Sequence, residues 1–157
     1  MKPVLLAFLI SLSACFKEEE TIYYAYLQNA TTHQITILPY KSGIVLAADT
    51  LKLGPGNRLK IAEGAMRGLQ NHTGFWSDRL SIGSNDSVQI VYDNQFTVTH
   101  YINAPGHVSD KHILYSSLRN IENYLGYAYT YTDRTRHSRE ATYIYTFADA
   151  DYAYASQ

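Results

Sequence analysis

Tyrosine recurs at every second position in two runs near the C-terminus, Tyr127-x-Tyr129-x-Tyr131 and Tyr143-x-Tyr145-x-Phe147. A period of two puts successive side chains on opposite faces of an extended strand, so each run has one aromatic face. Helical spacing cannot keep these residues on one side. Tyr supplies 15 of the 157 residues, and it favours half-buried pleated surfaces. The chain is therefore expected to be β-rich.

The rest of the chain repeats the pattern on a smaller scale. Residues 22–27 form a first apolar, Tyr-rich strand. Residues 33–38 alternate, with Ile35 and Ile37 on one face. Residues 44–46 and 50–53 read as one strand interrupted at Ala47-Ala48-Asp49. Gly54-Pro55-Gly56-Asn57 is a turn, and Arg58 to Ala62 alternates with Leu59 and Ile61 inward. Residues 64–78 are the least regular part, and a brief strand is expected at 80–82.

The clearest unit is the hairpin over residues 87–102. A three-residue loop at 93–95 aligns Tyr92 with Phe96, Ile90 with Val98 and Val88 with His100, whereas a two-residue loop pairs Ile90 with Thr97 and mixes the faces. Register follows the buried face, so the longer loop is preferred, and Gln95 should then carry the left-handed conformation. Further on, a strand at 113–115 is followed by one or two helical turns. Thr146, three residues before Asp149, resembles a capping box opening a short helix over 148–155. About eight short strands, with turn signals every ~8–12 residues, argue for an antiparallel β-sandwich or open barrel.

The N-terminus carries a different signal. Lys2 precedes an apolar run over residues 4–12, which is too short to span a bilayer. The run ends in Leu12-Ser13-Ala14-Cys15, which resembles the lipobox of bacterial lipoproteins. That resemblance implies that residues 1–14 are a signal peptide and that Cys15, the only cysteine, is acylated. Each buried acyl methylene contributes ~0.8 kcal/mol, so two chains anchor stably. The following Phe16-Lys17-Glu18-Glu19-Glu20 reads as a solvated tether over 15–21. It also resembles the Lys-plus-acidic signal of Bacteroidota lipoproteins exposed on the outer membrane; a periplasm-facing anchor is the alternative. Residues 22–157 are then a single β domain.

Chemistry is sparse. A net charge of −1 argues against bulk binding to nucleic acid. His107, Asp110 and His112 lie close together but lack further ligands at a zinc spacing. Asp149 and Asp151 lack the glycine of a calcium loop. There is no Gly-x-Ser-x-Gly elbow, no phosphate loop and no cofactor motif, so no enzyme activity, metal or cofactor is expected. Two places gather groups beyond what a β core needs. Arg134, Arg136, His137 and Arg139 cluster between the Tyr-rich runs, where they could either grip an anionic glycan or solubilise a hairpin tip. Phe75-Trp76, in a Gly-flanked loop, could stack on a sugar or pin the loop to the core.

Residues 35–40, His100-Tyr101, Arg119-Asn120-Ile121, Tyr145-Thr146-Phe147 and Asp151-Tyr152 together resemble a group of small Bacteroidota lipoproteins that share a lipobox and a Tyr-rich β body. The resemblance covers most of the chain after the signal and implies no catalytic residue. It suits a lipid-anchored binding module whose partner is a glycan or an envelope protein. The alternatives are a structural subunit of a surface assembly and, next, a glycan-directed enzyme.

Overall fold

The computed structural model describes residues 19–68, 87–102 and 110–157. Cys15, Phe75, Trp76, His107 and the strand expected at 80–82 lie outside the described residues. In chain order the strands are β1 (Glu20–Asn29), β2 (Ile35–Lys41), β3 (Ile44–Val45), β4 (Leu51–Leu53), β5 (Arg58–Arg67), β6 (Ser87–Tyr92), β7 (Phe96–Tyr101), β8 (His112–Leu114), β9 (Ala128–Thr135) and β10 (Ser138–Phe147), followed by helix α1 (Asp149–Ser156). They make two open sheets, β5-β1-β10-β9 and β3-β2-β6-β7-β8, with β4 also paired to β2. Among the described residues the protein is all-β with one short C-terminal helix, in keeping with a sandwich.

Alternation builds the core between the sheets. On β1, Thr21, Tyr23, Ala25, Leu27 and Asn29 are buried, and on β10 Ala141, Tyr143, Tyr145 and Phe147 are buried. The other sheet answers with Ile35, Ile37, Val88, Ile90, Tyr92 and Val98. The tyrosines of the two runs pair as a packed ladder rather than an exposed strip, although β9 itself is exposed at every position but Tyr129. Tyr129 lies opposite Tyr143 with ring centroids 4.9 Å apart, and Tyr127 lies 5.4 Å from Tyr145. Only Tyr131, at 54% exposure, stays out.

Not every pair is antiparallel. β1 runs parallel to β10 over ten residue pairs, and β7 parallel to β8. Parallel neighbours need a long connection, and β1 and β10 are joined by nearly the whole chain. The β6–β7 hairpin has the expected register, Tyr92 to Phe96, Ile90 to Val98 and Val88 to His100. Gln95, however, does not carry the left-handed conformation. Asp93 (φ 50°) and Asn94 (φ 57°) carry it, and the Gln95 N–H donates to Tyr92 O at 2.9 Å. Positive φ at both central residues is what a I′ turn requires, and Asp and Asn tolerate it best.

Four boundaries move. β1 begins at Glu20 and Thr21 is fully buried, so residue 21 belongs to the body rather than the tether. β5 runs on to Arg67 through Gly64, which reads as a breaker in sequence. In the fold it admits the Tyr23 ring; a Cβ at 64 would lie 2.7 Å from the Tyr23 hydroxyl. Residues 115–126 form turns and one 3₁₀ turn (Tyr124–Gly126) instead of α-helical turns. Finally, Thr146 does not cap α1, because it stays in β10. Ala148 is the N-cap residue, and Asp151 accepts its N–H at 2.8 Å.

Candidate functional site

The basic cluster comes apart in three dimensions. Arg136 and His137 form the two-residue turn between β9 and β10. Strand alternation sends their neighbours to opposite faces. Arg139 shares the inward parity of Ala141 and Tyr143; its Nε donates to Asp133 Oδ1 at 3.1 Å and its guanidinium lies 4.1 Å over the Tyr131 ring. Glu140 points the other way and pairs with Arg134. Two of the three guanidiniums are thus neutralised within the hairpin, and Arg136 makes no ion pair among the described residues. The structure does not bring these four residues into one anion site.

A grouping that the sequence reading passed over lies on the outer face of the four-stranded sheet. Ile22, Tyr24, Tyr26 and Gln28 alternate with the core residues of β1 and are half-buried. The Arg58 guanidinium lies 3.8 Å from the centroid of the Tyr26 ring, and Lys60 Nζ lies 6.0 Å from that of Tyr24. Lys60 also pairs with Glu63. Register sets Arg58, Gln28 and Thr146 in one row across three strands. Nearer the Glu20 end of the same face, Ile22, Tyr24, Glu63 and Ala65 line an open hollow of about 400 Å³. A guanidinium stacked on a ring keeps its N–H edge outward with little rotamer freedom left to lose, a suitable state for gripping a carboxylate or sulfate in fork geometry.

The strongly perturbed titratable groups sit elsewhere and are structural. His100 is 3% exposed, and its Nδ1 accepts the Ile121 N–H at 3.0 Å. Burial, with the nearby Arg119 charge, pushes its pKa down to about 3. Burial also raises the Tyr92 and Tyr145 hydroxyls. Yet the gap among Tyr92, Val98, His100, Ile113, Tyr145 and Phe147 has no room for a water molecule, so no substrate reaches these groups. Because the unfolded imidazole binds a proton near pH 6.5 and the folded one does not, stability is fully present above that pH. It is lost as pH falls toward 3, at up to about 1.4 kcal/mol per pH unit. Urea unfolding of the native chain and of His100→Gln at pH 7, 5 and 4 checks this. The native chain should lose stability faster, and equal slopes would mean an imidazole that titrates normally.

His33 and Asp93 form a third grouping. Nδ1 lies 2.6 Å from Asp93 Oδ2, and the imidazole stacks on Tyr152 at 3.4 Å. The bonds from His33 and from the Gln34 N–H hold the Asp93 carboxyl below its usual range. The contact ties the β1–β2 loop to the β6–β7 turn and to α1. Of the metal candidates, His107 lies outside the described residues. The His112 carbonyl accepts the Tyr154 hydroxyl at 2.9 Å. Asp151 is taken by the Arg119 guanidinium at 2.7 Å and by the Ala148 N–H. No group of three or more metal-ligating side chains occurs among the described residues.

The Arg119-Asn120-Ile121 and Tyr145-Thr146-Phe147 segments serve packing. The Arg119 carbonyl accepts the Tyr145 hydroxyl at 2.6 Å, Asn120 bonds to the carbonyls of Tyr101 and Ile113, and Ile121 bonds to His100 and Tyr127. The chain matches no protein-family model and no curated protein. No helix among the described residues is long and apolar enough to cross a membrane.

Proposed function

We propose that this chain is a lipid-anchored binding module of the bacterial outer membrane, facing outward, whose ligand is an anionic glycan gripped on the outer face of the four-stranded sheet. The lipobox ending at Cys15 supports the address. The observation that carries the ligand is the Arg58 guanidinium over the Tyr26 ring, 3.8 Å from its centroid, in a row with Gln28 and Thr146. Position favours the same choice. β1 leaves the tether at Glu20 and climbs nine residues to Asn29, about 30 Å at strand rise. The Arg58 row stands at the far end of that climb, where an outward-facing lipoprotein meets extracellular polymer. Sugar hydroxyls pair with the amide and hydroxyl, and the acid group pairs with the guanidinium.

The test is a glycan array that includes uronic and sulfated polymers, probed with the full chain in mild detergent. Arg58→Ala removes one charge-assisted contact and should weaken binding roughly 10–100-fold. Rising salt should weaken the native protein, as the Debye length falls from about 10 Å at 0.1 M to about 3 Å at 1 M. Absence of native binding, or binding untouched by Arg58→Ala, would remove the glycan reading. The address has its own check: Cys15→Ala should abolish retention in the membrane fraction.

A second reading, a structural subunit of a surface assembly, rests on β9. This eight-residue edge strand is exposed at every position but Tyr129, and such an edge can accept an added strand.

A further inference from the structure

We infer that the turn between β9 and β10 is a membrane-contact surface, with Arg136 set against the phosphates of anionic lipid headgroups in the bilayer that holds Cys15. The inference rests on the proposed lipid anchor. Three observations lead to it. β1 and β10 run parallel in unbroken register from Glu20 opposite Ser138, so the start of β1 and the β9–β10 turn share one end of the sandwich. The Glu20 N–H donates to the His137 carbonyl at 2.9 Å, which fixes the turn to the first residue of β1. Only five residue steps separate Cys15 from Glu20, a reach of at most ~18 Å even when fully extended.

An acylated Cys15 sits at the top of the hydrocarbon, beneath a polar layer about 5–8 Å deep. The turn meets that layer when the tether lies folded or along the surface, and clears it by about 10 Å only when the tether stands fully extended along the membrane normal. Charge decides what the turn meets there. Arg134 and Arg139 are answered by Glu140 and Asp133 within the hairpin. Arg136, exposed in the turn, has no such partner among the described residues. A single juxtamembrane guanidinium favours an anionic surface roughly fivefold, too little to recruit the protein but enough to set the tilt of one already anchored. The same geometry gives the basic cluster of the sequence a role other than glycan capture, since the anchored end points away from extracellular polymer.

The test places an environment-sensitive fluorophore on Thr135→Cys, next to Arg136, in the full lipidated chain. A control places it on Thr97→Cys, an exposed site just past the β6–β7 turn, at the His33–Asp93 end of the sandwich. Both proteins are reconstituted into phosphatidylcholine vesicles containing phosphatidylglycerol and a headgroup-level quencher. Quenching should be several-fold stronger at 135 than at 97. It should fall when Arg136→Glu is added and when phosphatidylglycerol is left out. Failure to partition into vesicles would overturn the anchor, and this inference with it. Partitioning with equal quenching at the two sites, or quenching at 135 that ignores both Arg136→Glu and lipid charge, would overturn the headgroup contact and leave the anchor standing.

Discussion

Asn120→Ala should destabilise the fold by about 3–5 kcal/mol, more than its small volume suggests. The Asn120 side chain is fully buried and bridges three backbone groups. Nδ2 donates to Tyr101 O at 3.0 Å and to Ile113 O at 2.9 Å, and Oδ1 accepts the Glu122 N–H at 2.8 Å. Tyr101 ends β7 and Ile113 lies in β8, so one amide fastens two parallel strands that share only three residue pairs. Truncation removes one hydrogen-bond partner from each of two carbonyls and from one N–H, each loss costing ~1–3 kcal/mol when nothing replaces the amide. Asn120→Asp separates the terms: it keeps the acceptor for Glu122 but loses both donations and buries a charge, so it should cost at least as much at neutral pH. Urea unfolding of the native and variant chains measures both. A loss below about 1 kcal/mol for Asn120→Ala would show that solvent takes over the amide's bonds.

The same residue explains why part of the fold was illegible beforehand. Ile113, Leu114, Leu118, Ile121 and Leu125 fit helical spacing, yet residues 115–126 form no α-helix. Asn120 ties the segment to β7 and β8 through their carbonyls, and Asn123 supplies side-chain donors to carbonyls that a helix would have satisfied itself. Asn123 Nδ2 reaches Tyr115 O and Ser117 O at 3.0 and 3.2 Å. Such local competition by Asn is invisible to hydrophobic periodicity. Strands whose buried face alternates cleanly were legible, because period two admits one inward face. The candidate site was legible only in its parts. Tyr24 and Tyr26 stand out as aromatic, and Arg58 and Lys60 as cationic, but their diagonal contacts depend on how β1 and β5 align. That alignment contains a register shift between Ala25 and Tyr26, which no spacing announces. The tip cluster failed for the converse reason: residues close in sequence on two strands and a turn were divided between opposite faces.

Ile90→Ala carries the other large expected loss, about 2–5 kcal/mol. Ile90 is fully buried in the middle of its sheet, directly between Ile37 of β2 and Val98 of β7. Removing its outer carbons forfeits their transfer from water and leaves a hole that three neighbouring strands cannot close together. Its neighbour Val91 points to the other face and is only half-buried, opposite Thr36 and Thr97, so Val91→Ala should cost under about 1 kcal/mol. The pair of variants tests the register itself. A slip of one residue in β6 would exchange the faces and invert the two losses, because strand side chains have a period of two. Urea melts read through Tyr fluorescence supply the comparison, with an unchanged m-value confirming that the same surface is exposed in each case. Equal losses, or a loss under about 0.5 kcal/mol for Ile90→Ala, would contradict the three-residue loop at 93–95. The register therefore follows from which face of β6 is buried rather than from the Asp93-Asn94 turn alone, whose positive φ values also suit a two-residue loop.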